Sequence, residues 1–189
     1  AERLQAAALE LFATRGYERT TAAEIAQSVG LTERTFFRHF SDKREVLFHG
    51  QHLLVQALVD GVRGAPPDAS PLDTVARALR SAAPFFPAER RPHSRARKAV
   101  IDANPALAER ELRKLADLAA TLADALRARG VGGLAATVAA QTGVAVFGVA
   151  FARWVRDGEE RSFADVVAEA YQELLSLAAE AAPAPPGTP

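Results

Sequence analysis

The 189-residue sequence predicts an all-α protein of about nine helices. Three observations carry this prediction. Apolar residues recur at spacings of three and four along most of the chain, and no stretch alternates with the period of two that marks a half-buried strand. Glycines and prolines punctuate these apolar stripes. Side chains able to cap a helix stand before several of them.

The first helix is expected from about Glu2 to Thr14, with Leu4, Ala8, Leu11 and Phe12 as its inner stripe and Gly16 as its stop. Thr21 and Glu24 have capping-box spacing, so a second helix begins near Ala22. Gly30 can take the left-handed conformation that ends it. Thr32 can cap a third helix over Glu33–Phe40, and Ser41 and Asp42 supply the cap of a fourth, from Asp42 to about Val62. Along that fourth helix Val46, Leu47, Leu54 and Leu58 keep helical spacing, until Gly61, Gly64, Pro66, Pro67 and Pro71 break the pattern. A fifth helix is expected over Leu72–Phe86, with Pro84 near its end and a loop over 87–92. The sixth covers His93–Ala103. The seventh, Pro105–Arg129, carries Leu107, Leu115, Leu118, Leu122 and Leu126 as a stripe. The eighth runs from about Leu134 to Arg156 and the ninth from Ser162 to about Ala182. The Pro-rich residues 183–189 read as a disordered tail.

Composition narrows the function classes. Cysteine is absent, which excludes disulfides, thiolate metal sites and cysteine nucleophiles. With no signal peptide at its start, the chain is expected in the cytoplasm. Residues 134–152 hold no charge and are about long enough to span a bilayer. Thr137, Gln141, Thr142 and two glycines dilute their hydrophobicity, and no basic flank sets an orientation, so they are read as a buried helix of a soluble protein with no membrane partner. His49 and His52 are spaced to share a metal, but no carboxylate constellation supports them, and no nucleophile triad or Gly-rich phosphate loop is visible. No enzyme, metal or cofactor is expected.

The most specific stretch is 21–43. A small residue at Ala26, a glycine four later and an apolar residue six after that match a helix-turn-helix, with Ile25, Val29, Leu31, Phe36 and Phe40 spaced to share its core. The second helix of the pair leaves Glu33, Arg34, Thr35, Phe37, Arg38 and His39 off that core. Arg34 and Arg38 share one face, and an arginine donates two parallel hydrogen bonds to guanine or phosphate. Thr35 offers a hydroxyl and a methyl, and Phe37 an apolar contact for a thymine methyl. Thr21 and Lys43 stand at helix starts, where side chain and backbone N–H can grip phosphate together. The net charge is zero, but residues 32–44 hold four basic and two acidic residues plus His39.

The segments 8–21, Glu24-Ile25-Ala26, Gly30-Leu31-Thr32 and Thr35–Lys43 resemble the DNA-binding domain of the TetR family of one-component transcriptional regulators, from about Leu4 to Leu47. The resemblance implies a three-helix DNA-binding domain over 1–46 and a helical ligand-binding and dimerisation domain over 47–182. It implies phosphate contacts from Thr21 and Lys43 and groove contacts from Thr32, Arg34, Thr35, Phe37, Arg38 and His39. One departure is clear: position 37 is usually tyrosine in the family, and Phe37 lacks the hydroxyl that reaches a phosphate. Whether a basic arm precedes Ala1 stays open.

The same resemblance implies a homodimer on a palindromic double-stranded operator, acting as a repressor and released by a small-molecule effector. Val144, Gly148, Val166, Ala170, Tyr171 and Leu174 are the expected dimer face. Small residues at 139, 140, 143, 145 and 148 would allow close approach of helices. Candidate ligand walls are Phe85, Phe86, Val100, Ile101, Leu118, Leu122, Phe147, Phe151 and Trp154, with Asn104, Gln141 and Thr142 as polar anchors. The basic run Arg90, Arg91, His93, Arg95, Arg97, Lys98 reads as a solvated face, or as an attractor for an anion such as an acyl thioester. The rival readings are a helical adaptor that binds only protein and an activator-type regulator without an inducer.

Overall fold

The computed structural model describes residues 1–180, and the tail expected over 183–189 lies outside them. Among the described residues the chain is helical throughout: α1 (Glu2–Arg15), α2 (Ala22–Ser28), α3 (Glu33–His39), α4 (Gln51–Arg63), α5 (Pro71–Ser81), α6 (Arg91–Asp102), α7 (Pro105–Ala128), α8 (Gly133–Trp154) and α9 (Phe163–Glu180), with short 3-10 turns at Arg44–Leu47, Ala83–Phe85 and Ala88–Arg90. Two compact units form: residues 1–57 with 89–118, and residues 58–88 with 119 onward.

The first unit is built on α1, α2 and α3. Leu4, Ala8, Phe12, Ile25, Ala26, Phe36, Phe40 and Val46 are all but sealed from solvent in one core, and Val29 and Leu31 pack at its margin. Ile101 lies in this core with Val100 and Leu107, so it anchors α6 to the helix-turn-helix instead of lining a ligand cavity. Asn104 is likewise occupied locally: its side-chain amide donates to the Val100 carbonyl, and its own carbonyl accepts from the first turn of α7.

A polar clasp ties α6 and α7 to the turn after α3. Arg97 donates to the Leu47 carbonyl (2.8 Å) and to Glu111 (3.1 Å). Glu45 receives Arg110 (2.6 Å) and Lys114 (3.4 Å). Both cations of the pair Arg97 and Lys114 also face the Phe48 ring, at 5.1 and 5.5 Å from its centroid.

The single helix expected over Asp42–Val62 is divided. Asp42 accepts from the backbone N–H of Arg44 and Glu45 and starts a 3-10 turn, not an α-helix. Gly50 then adopts φ +84°, a conformation closed to other residues without strain, and α4 begins only at Gln51. Similarly, Pro84 confines the fifth helix to Pro71–Ser81, and α6 starts at Arg91 within the expected loop.

In the second unit α5, α8 and α9 pack on one another. The Tyr171 hydroxyl donates to Asp73 across α9 and α5 (2.8 Å), and burial together with that carboxylate pushes its pKa up to about 12. Gly143 has no room for a Cβ because Val75 of α5 fills that space. Close approach at Gly143 therefore serves packing inside one chain, not between chains. Gly61 plays the same part for α4 and α5, where an added Cβ would lie 2.8 Å from the Ala78 Cα. Arg129 closes the end of α4 by donating to the carbonyls of Arg63, Ala65 and Pro66 at 2.7–3.0 Å.

Candidate nucleic-acid interface

The turn between α2 and α3 follows from its residues. Thr21 and Glu24 form the full capping box: the threonine hydroxyl accepts from the Glu24 N–H (3.2 Å), and the Glu24 carboxylate accepts from the Thr21 N–H (2.8 Å). At the other end Gly30 takes φ +72°, and the Leu31 N–H returns to the Ala26 carbonyl at 2.9 Å. Thr32 then caps α3 by accepting from the Thr35 N–H.

Of the seven residues of α3, Phe36 alone is buried. Its ring packs at a tilt against Phe40, 5.0 Å between centroids, which pins the helix to the core. Glu33, Arg34, Phe37, Arg38 and His39 project into solvent. Arg34 and Arg38 make no hydrogen bond or ion pair among the described residues, so both guanidinium forks are available. The pKa of His39 lies below its ordinary 6.5 through desolvation and neighbouring positive charge, including Arg38 and His49, so the ring is mainly neutral at pH 7.

Four expected contact residues, Thr21, Thr32, Thr35 and Lys43, are partly occupied. The Thr21 hydroxyl also lies 2.9 Å from the Glu24 carboxylate. Thr35 is half-buried and its hydroxyl pairs with that of Thr32 at 3.0 Å, which leaves the methyl as its more available feature. Lys43 donates to the Tyr17 carbonyl (2.8 Å) and sits 4.0 Å above the Tyr17 ring, leaving two of its three N–H donors for another partner.

The residues expected to enclose a ligand divide between the units. Ile101, Asn104 and Leu118 fall in the first; Phe85, Phe86, Leu122, Gln141, Phe147, Phe151 and Trp154 fall in the second. There, Phe86 is the hub of an aromatic cluster, 5.8 Å from each of Phe147, Phe151 and Trp154 and 4.3 Å from Phe163. Phe163, buried at the start of α9, belongs to this cluster although it is not among the expected walls. Gln141 is exposed on the outer side of α8 and is not an interior anchor. The apolar cavity between α5, α8 and α9, lined by Leu72, Val75, Thr142, Val146 and Leu174 among others, holds about 10 Å³, room for roughly one water.

The expected dimer face is also redistributed. Val166 is fully buried within the protomer, and the Tyr171 hydroxyl is engaged by Asp73. On α8 and α9 the large apolar side chains that face solvent are Leu134, Val138 and Val149, exposed at 82, 55 and 63%, with Leu175 and Leu177. Val144, Gly148, Ala170 and Leu174 are half-buried beside them. By length and composition α8 could cross a membrane, although Ala136, Ala139, Ala140, Gly143, Val146, Phe147, Ala150 and Trp154 are buried in the unit.

A capped, solvent-presented second helix on a small three-helix core defines a helix-turn-helix DNA-binding regulator. The chain belongs to the TetR family of bacterial regulatory proteins, whose N-terminal model matches residues 4–49, while the model of the MftR C-terminal domain matches residues 69–178. It is 39% identical over 74 residues to the HTH-type transcriptional regulator TcmR of Streptomyces glaucescens; that match spans 39% of this chain and 33% of the relative's length. Among solved structures it resembles Thermus thermophilus FadR, a transcriptional repressor in complex with lauroyl-CoA, at 26% identity and TM-score 0.55, covering 98% of this chain and 99% of that one. The fatty acid degradation regulator FadR of Bacillus halodurans shares the fold at 17% identity and TM-score 0.54, over 92% of this chain and 93% of that one.

Proposed function

We propose that the protein is a cytoplasmic homodimeric repressor that inserts the recognition helix of each subunit into the major groove of a palindromic operator and releases it on binding a small-molecule effector. The observation that carries this reading is the division of α3. Phe36 is buried, while Glu33, Arg34, Phe37, Arg38 and His39 project from the surface. A two-fold dimer places the recognition helices about 34–36 Å apart, one turn of B-DNA. The stripe of Leu134, Val138 and Val149 supports the dimer, because a helix exposing this much apolar surface is stabilised by covering it. Functionally, residues 1–46 read DNA and 47–182 carry dimerisation and effector response.

A fatty-acyl thioester is the effector class best supported. The Thermus protein with lauroyl-CoA aligns along nearly the whole chain, and the second unit offers an aromatic cluster built on Phe86. The four rings around Phe86 stand 4.3–5.8 Å from it between centroids, so an acyl chain enters only a conformer in which the cluster has opened. Differential affinity for that conformer is what shifts the equilibrium. The test is enrichment of randomised duplexes on the purified protein, followed by gel shift with lauroyl-CoA. Enrichment of a palindrome that dissociates from the protein as lauroyl-CoA is added supports the reading. No enrichment overturns the DNA reading, and an operator complex indifferent to lauroyl-CoA overturns the effector class.

A further inference from the structure

We infer that Phe37 reads the C5 methyl of a thymine in each half-site of the operator; this deepens, and rests on, the proposed operator reading. Among residues 1–50, Phe37 is the large apolar side chain left in solvent, 49% exposed. The rest of its helix surface is polar, with Glu33 and Arg34 one turn earlier and Arg38 beside it. A phenyl ring has no donor for a phosphate oxygen and no partner for a polar base edge. The apolar feature that a base pair presents in the major groove is the thymine C5 methyl. The ring is also held in advance: it stands edge-on to Phe36 at 5.4 Å and 82°, and Phe36 is fully buried and backed by Phe40. A ring braced in this way loses little rotamer freedom when it meets a methyl group. Thr35, the other side chain of α3 with a methyl on offer, is half-buried within the cap of its own helix, so Phe37 projects further.

The experiment uses the operator enriched on the full chain, with each thymine replaced singly by uracil, which removes only the methyl. Affinities are read by fluorescence anisotropy at one salt concentration. One thymine position per half-site is expected at which uracil weakens binding about three- to five-fold, and about tenfold or more when both half-sites are changed. Phe37→Ala should bind the thymine and uracil operators equally, with an unchanged melting temperature, and Phe37→Leu should retain part of the discrimination. Equal binding of the wild-type chain to the thymine and uracil forms at every position overturns the inference, as does a Phe37→Ala protein that still discriminates them. Those results leave the operator reading intact. Failure to enrich any duplex overturns the operator reading and the inference with it.

Discussion

At the residue scale, two neighbours on α3 do opposite work. Phe36 is sealed between the helices, and Phe36→Ala should cost about 3–5 kcal/mol. Thermal unfolding would show this directly. Arg38 is exposed and unpaired among the described residues, so Arg38→Ala should leave the melting curve unchanged while weakening operator affinity by about 1–3 kcal/mol, measured by anisotropy. A melting temperature that falls in Arg38→Ala would make that side chain structural. His39 adds a pH dependence with a definite sign. Its ring is held below 6.5 in the free protein, and nearby phosphates favour its charged form. Affinity should therefore rise as pH falls through and below that range, and the rise attributable to this residue should vanish in His39→Gln.

At the element scale, the clasp around Glu45 decides how firmly α7 holds the turn after α3. Burial pushes the Glu45 carboxyl upward, but the hydrogen bond from Arg110 and the charges of Lys114 and Arg110 together hold it below its ordinary 4.5. A carboxylate depressed in the folded state stabilises the fold above its unfolded pKa, and that stabilisation is lost as pH falls below about 4.5 and through the folded value. The melting temperature should drop across that window, with a shallower drop in Glu45→Gln, whose loss at neutral pH is about 1–3 kcal/mol. Identical pH profiles for the two proteins would remove Glu45 from the account. The elements around this clasp show what the sequence makes legible. The helix-turn-helix could be read because each of its signals is local: the Thr21–Glu24 box, Gly30, and the spacing of Ile25, Phe36 and Phe40. The break at Gly50 could not, since Val46, Leu47, Leu54 and Leu58 keep helical period across it. Periodicity also identifies an apolar face without naming its neighbour. Ile101 went to the helix-turn-helix core, Gly143 to Val75, and Val166 to the interior of its own unit for that reason.

At the scale of the whole molecule, the proposed function requires two copies. Val138 and Val149 are exposed in the protomer, so Val138→Glu with Val149→Glu should leave its helix content intact while dissociating the dimer, as followed by sedimentation equilibrium and circular dichroism. Operator affinity should then fall to that of a single half-site, because the second recognition helix is no longer held at the required spacing. A double variant that remains dimeric would move the interface away from this stripe of α8. The account as a whole is tested most directly by methylation interference on the enriched operator, in which guanine N7 groups blocked in the major groove are mapped base by base. Interference at two clusters about 10–10.5 base pairs apart, related by two-fold symmetry and weakened in Arg34→Ala or Arg38→Ala, is the predicted result. A single cluster, or a pattern unchanged by both arginine substitutions, would contradict it.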